Sequence, residues 1–274
     1  MRPSAIGGTP VTRLLGLGLL SALLWACGGA PGGPGGGGGG DGGSPPGVNQ
    51  DSSRVLRLDF ERTALGALPA DWIGVRAEML AQGKTPPSWL YDGTWEVANV
   101  DRGSIRGRVL RQTQQQPEPW VSFVRYRGAH FGPNGQLPMR YRFEVSQQPI
   151  ASPYNLPPTG DQGVQPYYLD ADHYLEVVNT PRDLQVWYCD GAQPMNGRGW
   201  KRLYSRPMTT NPGDVRRVGG IVDVQKKTFV LLYDGKPEAT LQVPDLDPSR
   251  SHFMALRSIG NEVNFDDLEV EKLD

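Results

Sequence analysis

The sequence predicts an all-β chain folded as a two-sheet antiparallel sandwich, and three observations carry that prediction. Short runs rich in β-branched and aromatic residues recur from Val55 to the end of the chain, turn-forming pairs separate them, and only Ala77 to Gln82 suggests even one turn of helix. About a dozen such runs with almost no helix can bury their apolar faces only by packing sheet on sheet.

The strongest signal lies between Asp172 and Val243. His173 to Val178, Leu184 to Cys189, Arg217 to Val224, Thr228 to Tyr233 and Ala239 to Val243 read as consecutive strands of one antiparallel meander, joined through Thr180-Pro181, Gln225-Lys226 and Asp234-Gly235. Asp-Gly between apolar runs marks a tight hairpin because both residues tolerate positive φ, so Tyr233 and Lys236 should flank a turn. In Leu184 to Cys189 the alternation sets Leu184, Val186 and Tyr188 against Gln185, Trp187 and Cys189. The more apolar set should face the core, leaving Trp187 outward on a concave face; the competing register buries Trp187 and Cys189 and turns Tyr188 to water.

Upstream, Val55 to Phe60 alternates as a first strand, and a loop through Leu68-Pro69-Ala70-Asp71-Trp72 follows it. Trp95 to Val100 and Ile105 to Thr113 are strands about the turn Asp101-Arg102-Gly103. Val121 to Tyr126 continues the pattern, and Met139 to Val145 sets Tyr141, Phe143 and Val145 against Arg140, Arg142 and Glu144. Pro149, Pro153, Pro157, Pro158 and Pro166 make Gln147 to Gln165 read as a long loop, because proline removes a donor from the hydrogen-bond ladder. Trp200 to Ser205, His252 to Ser258 and Glu262 to Leu273 complete the set.

The first 26 residues read as a targeting segment, with Arg2 and Arg13 before a run of 12 apolar or small residues from Leu14 to Trp25, too short to span a bilayer. Leu24-Trp25-Ala26-Cys27-Gly28 resembles the lipobox of bacterial lipoproteins. That resemblance implies acylation of Cys27 and a membrane anchor, and the glycine after Cys27 resembles lipoproteins sent to the outer membrane. Gly28 to Gln50 holds 13 glycines and four prolines in 23 residues, a disordered tether by composition, with no Lys-Ser/Thr to make it a phosphate loop. Residues 51–274 are then one domain, a length that a single β-sandwich fills. Of 28 basic side chains Arg2 and Arg13 lie in the targeting segment, leaving 26 against 29 acidic ones, no footprint for nucleic acid. Cys189 is the only cysteine of that domain, so no disulfide can form within it.

Leu58-Asp59-Phe60-Glu61 with Trp72, Trp95-Glu96-Val97, the run Gly107 to Gln112, His173 to Val177, Leu232 to Lys236 and Phe265 to Val270 follow one another in an order that resembles the concanavalin A-like lectin and glucanase sandwich. Their flavour is that of its laminin-G-like and keto-disaccharide-hydrolase-like branch, although the Asn-Ser-Gly signature of the latter is missing. The resemblance implies a two-sheet antiparallel jelly-roll sandwich with one concave sheet and, in many of its members, a carbohydrate ligand; it does not imply catalysis.

Glucanases of that superfamily carry paired acids on one strand because retaining hydrolysis needs a nucleophile and an acid. Here Asp172-His173-Tyr174-Leu175-Glu176 has a tyrosine where the middle acid would stand, so turn plus solvent-facing glutamate is the plainer reading. Arg140, Arg142, His173 and Tyr174 could be read as the set of a polysaccharide lyase, or as alternation on a solvated face. His130, His173 and His252 lack metal-ligand spacing, and no Gly-x-Ser-x-Gly occurs. Asp59, Glu61, Asp266 and Asp267 resemble the superfamily's structural calcium site. The expected function is a lipid-anchored, noncatalytic glycan- or polymer-binding module with Trp187, Tyr174, Glu176 and Arg142 on its binding face. The alternatives are a glycoside hydrolase or lyase, and a structural envelope lipoprotein with a protein partner.

Overall fold

The structure, a computed structural model, describes residues 54–102, 105–113, 121–151, 161–191 and 199–274. The targeting segment, Cys27, the glycine-rich tether, Gly103 and the prolines Pro153, Pro157 and Pro158 lie outside the described residues. Those described form sixteen strands and one short α-helix: β1 (Val55–Leu58), β2 (Trp72–Gly74), α1 (Val75–Ala81), β3 (Leu90–Tyr91), β4 (Trp95–Arg102), β5 (Ile105–Gln112), β6 (Val121–Tyr126), β7 (Arg140–Ala151), β8 (Asp161–Asp170), β9 (His173–Asn179), β10 (Asp183–Asp190), β11 (Trp200–Pro207), β12 (Arg216–Asp223), β13 (Thr228–Tyr233), β14 (Lys236–Gln242), β15 (Phe253–Ile259) and β16 (Glu262–Lys272).

They build two sheets. Sheet A runs β14-β13-β12-β7-β16-β5-β4 with β1 added against β16, and sheet B runs β11-β10-β9-β8-β15-β6-β2. The two-residue β3 pairs parallel to β6, and every other pairing is antiparallel. The core between the sheets is filled by the period-2 apolar sets: Tyr141, Phe143 and Val145 from sheet A meet Leu175, Val177, Leu184, Val186 and Tyr188 from sheet B. His252 is stacked within this core between Tyr141 and Tyr167, at ring centroid distances of 5.8 and 5.0 Å.

The Asp234-Gly235 hairpin forms as expected, with φ of 47° and 74° and with Tyr233 paired to Lys236. The single meander does not. β9 and β10 continue into β11 in sheet B, whereas β12, β13 and β14 form an edge of sheet A, so the chain changes sheets between Pro207 and Arg216. A hairpin signal reports only the pairing across its own turn, and no such turn joins β11 to β12.

The proline-rich stretch is a second correction. β7 runs on to Ala151 and β8 begins at Asp161, and both are central strands. Pro149 lies next to a register shift between Glu262 and Val263 in the β7–β16 ladder, and Pro166 falls inside the shift between Val164 and Tyr167 in the β8–β9 ladder. At such irregularities a missing N–H disturbs no regular rung, so proline is accommodated in mid-sheet.

α1, made of the helix formers Arg76, Ala77, Glu78, Met79 and Leu80, packs onto the face of sheet B that points away from sheet A. Together with Trp89 and Leu90 it covers Phe123, Tyr168, Tyr174 and Ala255 there, making a second apolar cluster. Part of that outer face is thereby removed from water, and Trp187 of β10 is not part of the cluster.

Candidate functional site on the outer face of sheet B

Leu184, Val186 and Tyr188 point into the core, so β10 takes the first of its two registers and places Trp187 on the outer face. The indole is half-buried, and its N–H donates to Gln185 Oε1 at 2.7 Å, which fixes the ring against the strand.

A bulge completes the surface. β10 and β11 pair in step from Asp183 with Pro207 to Val186 with Tyr204; then Trp187 pairs with Arg202, leaving Leu203 over. One extra residue reverses which face the following side chains use. Tyr204 and Arg206 reach across to Glu238 in sheet A, at 2.6 and 2.7 Å, while Arg202 and Trp200 turn outward beside Trp187. The Trp187 and Trp200 ring centroids are 5.7 Å apart at 50°, and the Arg202 guanidinium lies 5.5 Å from the Trp187 centroid. Unbroken alternation in β11 would have put Trp200, Arg202, Tyr204 and Arg206 on one face, so the sequence pattern hid this site.

Glu176, the cross-strand partner of Trp187, is on the same face. It is 0 % exposed and accepts from Arg257 Nη1 at 2.5 Å and from Gln165 Nε2 at 3.4 Å. Arg257, itself 2 % exposed, also lies 3.8 Å from Asp161 and beneath the Trp200 ring at 5.9 Å. The expected solvent-facing glutamate is therefore corrected: Glu176 is a buried counter-ion, because Arg257 on β15 comes to the same patch of the sheet. A carboxylate so enclosed is poorly placed to attack or protonate a sugar.

Two other expected binding residues belong elsewhere. Tyr174 is enclosed in the α1 cluster, stacked with Tyr168 at 6.4 Å and edge-on to Phe123 at 5.6 Å, since α1 folds over this part of the sheet. Arg142 is on the outer face of sheet A, across the sandwich from Trp187, where it and Arg217 donate to Glu144. Burial alone would raise the pKa of Glu144; the two arginine hydrogen bonds bring it below the ordinary value. Arg140 is likewise on sheet A, so it and Arg142 do not join His173 and Tyr174 in a lyase-like set.

A cleft of about 670 Å³ opens between α1 and the β8–β9 turn, lined among others by Lys84, Arg127, Asp172 and His173, and neither Trp187 nor Trp200 lines it. Asp170 accepts from the backbone N–H of Asp172 at 3.0 Å, pairs with His173 Nδ1 at 2.8 Å, and receives Arg250 at 3.3 Å. Burial, reinforced by Asp170, raises the pKa of Asp172. Cys189 is buried, and desolvation pushes its thiol up to about 11, the state of a packing residue and not of a nucleophile.

The acids expected to hold calcium come near one another without forming a ligand set. Among the described residues no group of three or more His, Cys, Asp or Glu side chains is arranged to hold a metal. Asp59 accepts from the Glu61 N–H at 3.2 Å, Glu61 from the Arg108 N–H at 3.0 Å, and Asp266 from the Asp267 N–H at 2.8 Å, so three of the four accept from backbone donors. Gly107 is required at this corner: its φ is +98°, and a Cβ there would meet Glu61 Oε1 at 1.9 Å. These four side chains by themselves therefore do not make up a calcium ligand set.

No protein-family model matches the sequence, and no curated protein matches it. Solved structures do. SCLam, a non-specific endo-β-1,3(4)-glucanase from family GH16, superposes with a TM-score of 0.53 at 12 % identity, over 80 % of this chain and 92 % of that one. The carbohydrate recognition domain of Emp47p gives 0.51 at 9 % identity, over 81 % and 96 %. The fold is that of the concanavalin A-like sandwich.

Proposed function

We propose that this protein is a lipid-anchored cell-envelope protein whose sandwich binds a glycan without cleaving it. The observation that carries the reading is the outward Trp187–Trp200 pair set above an ion pair that is already closed. Flat indole faces stack on the apolar faces of sugar rings, and the acid beneath them is committed to Arg257 and Gln165. Both fold neighbours carry names that concern carbohydrates, which supports a ligand of this class and leaves catalysis open.

A glycan array probed with the full chain tests the reading directly. Trp187→Ala is expected to lower affinity for any glycan hit at least tenfold, while destabilising the fold by less than the ~3–5 kcal/mol of a core tryptophan. Equal binding by variant and wild type would move the site elsewhere. Release of reducing or unsaturated sugar ends from a hit would favour a glycoside hydrolase or lyase, and capture of an envelope protein with no glycan hit would favour a structural role.

Anchoring is proposed through Cys27, followed by the glycine-rich stretch as a tether, with the outer membrane as destination. Cys27→Ser is expected to move the protein from the membrane fraction to the soluble one; fractionation identical to the wild type would defeat the proposal.

A further inference from the structure

We infer that Arg202 makes this face selective for acidic glycans, those bearing a carboxylate or sulfate ester near the sugar that stacks on Trp187. The inference rests on the glycan-binding reading above and specifies its ligand class. Three observations support it. First, the Leu203 bulge turns Arg202 outward next to Trp187, and bulges of this kind re-aim side chains at sites. Second, the guanidinium lies over the Trp187 ring, 5.5 Å from its centroid, and the ring is itself fixed by Gln185, so the cation is placed against the indole that a sugar would meet.

Third, Arg202 is exposed and has no acidic partner among the described residues. Other arginines on the outer sheet faces differ: on sheet B Arg257 is tied to Glu176 and Asp161 and Arg125 to Glu78, and on sheet A Arg142 and Arg217 are tied to Glu144. The acid closest in register to Trp187, Glu176, is already paired with Arg257 and cannot also neutralise Arg202. A planar guanidinium with its edge open matches a carboxylate or sulfate by two parallel hydrogen bonds, which a hydroxyl cannot reproduce. With 29 acidic against 26 basic side chains beyond the targeting segment, the chain has no general attraction for polyanions, so acidic selectivity must be local.

The test uses the full chain in detergent with dextran, carboxymethyl-dextran and dextran sulfate, and with polygalacturonate beside laminarin. At least one acidic polymer is expected to bind at least tenfold more tightly than its neutral counterpart, with affinity falling as salt rises from low to physiological ionic strength. Whether carboxymethyl-dextran or dextran sulfate binds better tells which oxyanion is read. Arg202→Gln is expected to remove that advantage and flatten the salt dependence, with unfolding unchanged, and Arg202→Lys to restore only part of it. Four results overturn the inference: equal binding of acidic and neutral polymers, Arg202→Gln binding acidic polymers like the wild type, polyanion binding that survives Trp187→Ala, or no binding to any glycan. The first three leave the glycan-binding reading standing or relocate its site; the last ends it as well.

Discussion

Arg257→Met is expected to destabilise the fold by about 3–5 kcal/mol, more than any substitution at the half-buried aromatic pair. The reason is the partner it would leave behind. Glu176 is 0 % exposed, and its other hydrogen bond, from Gln165 at 3.4 Å, is long for an amide donor. A carboxylate stranded there must remain charged without a counter-ion or take up a proton, and either outcome lowers stability. The double variant Arg257→Met with Glu176→Gln should recover most of the loss, because removing both charges avoids the stranded ion. Urea denaturation of the wild type, the two single variants and the double variant measures the coupling. Additive losses would mean that the pair is not a unit and would remove the support for the aromatic surface above it.

Stability is also expected to fall as pH rises from about 4 to about 7, through Asp266. Burial raises its pKa from the ordinary 3.8 to about 7, and the nearby carboxylates Asp267, Glu61 and Asp59 add to the rise. In that window the folded chain keeps a proton that the unfolded chain has released, so each pH unit removes about 1.4 kcal/mol, up to about 4 kcal/mol in all. Above pH 7 both states are ionised and the contribution stops changing. His252 has the opposite sign: burial lowers its pKa below 6.5, so its contribution rises as pH climbs toward that value. Comparing wild type with Asp266→Asn isolates the carboxyl, since His252 is common to both. The difference in melting temperature between them should widen in favour of Asn from pH 4 to pH 7. A difference that stays constant would show that Asp266 ionises as an ordinary aspartate.

Much of this architecture was legible in the residues, for reasons visible at single strands. Asp234-Gly235 specifies its hairpin because few residues accept two successive positive φ values. Tyr141, Phe143 and Val145 specify a buried face, as Leu184, Val186 and Tyr188 do, because the strand period is two and one face must leave water. The outward position of Trp187 follows from the same alternation. Trp200, Arg202 and Arg257 were not legible as companions of Trp187, because a one-residue bulge and a strand some seventy positions away in sequence bring them there.

The sequence by itself thus determined the all-β class, the strands outside the proline-rich stretch, the apolar faces of those that alternate without a bulge and the Asp234-Gly235 turn, all of which depend on neighbours within a few residues. Only the tertiary structure decided which sheet each strand joins, that Arg142 is across the sandwich from Trp187, that α1 encloses Tyr174, and that Arg257 neutralises Glu176. Those outcomes depend on which distant segments meet, and a side chain's local pattern carries no record of the charge or ring that will be packed against it.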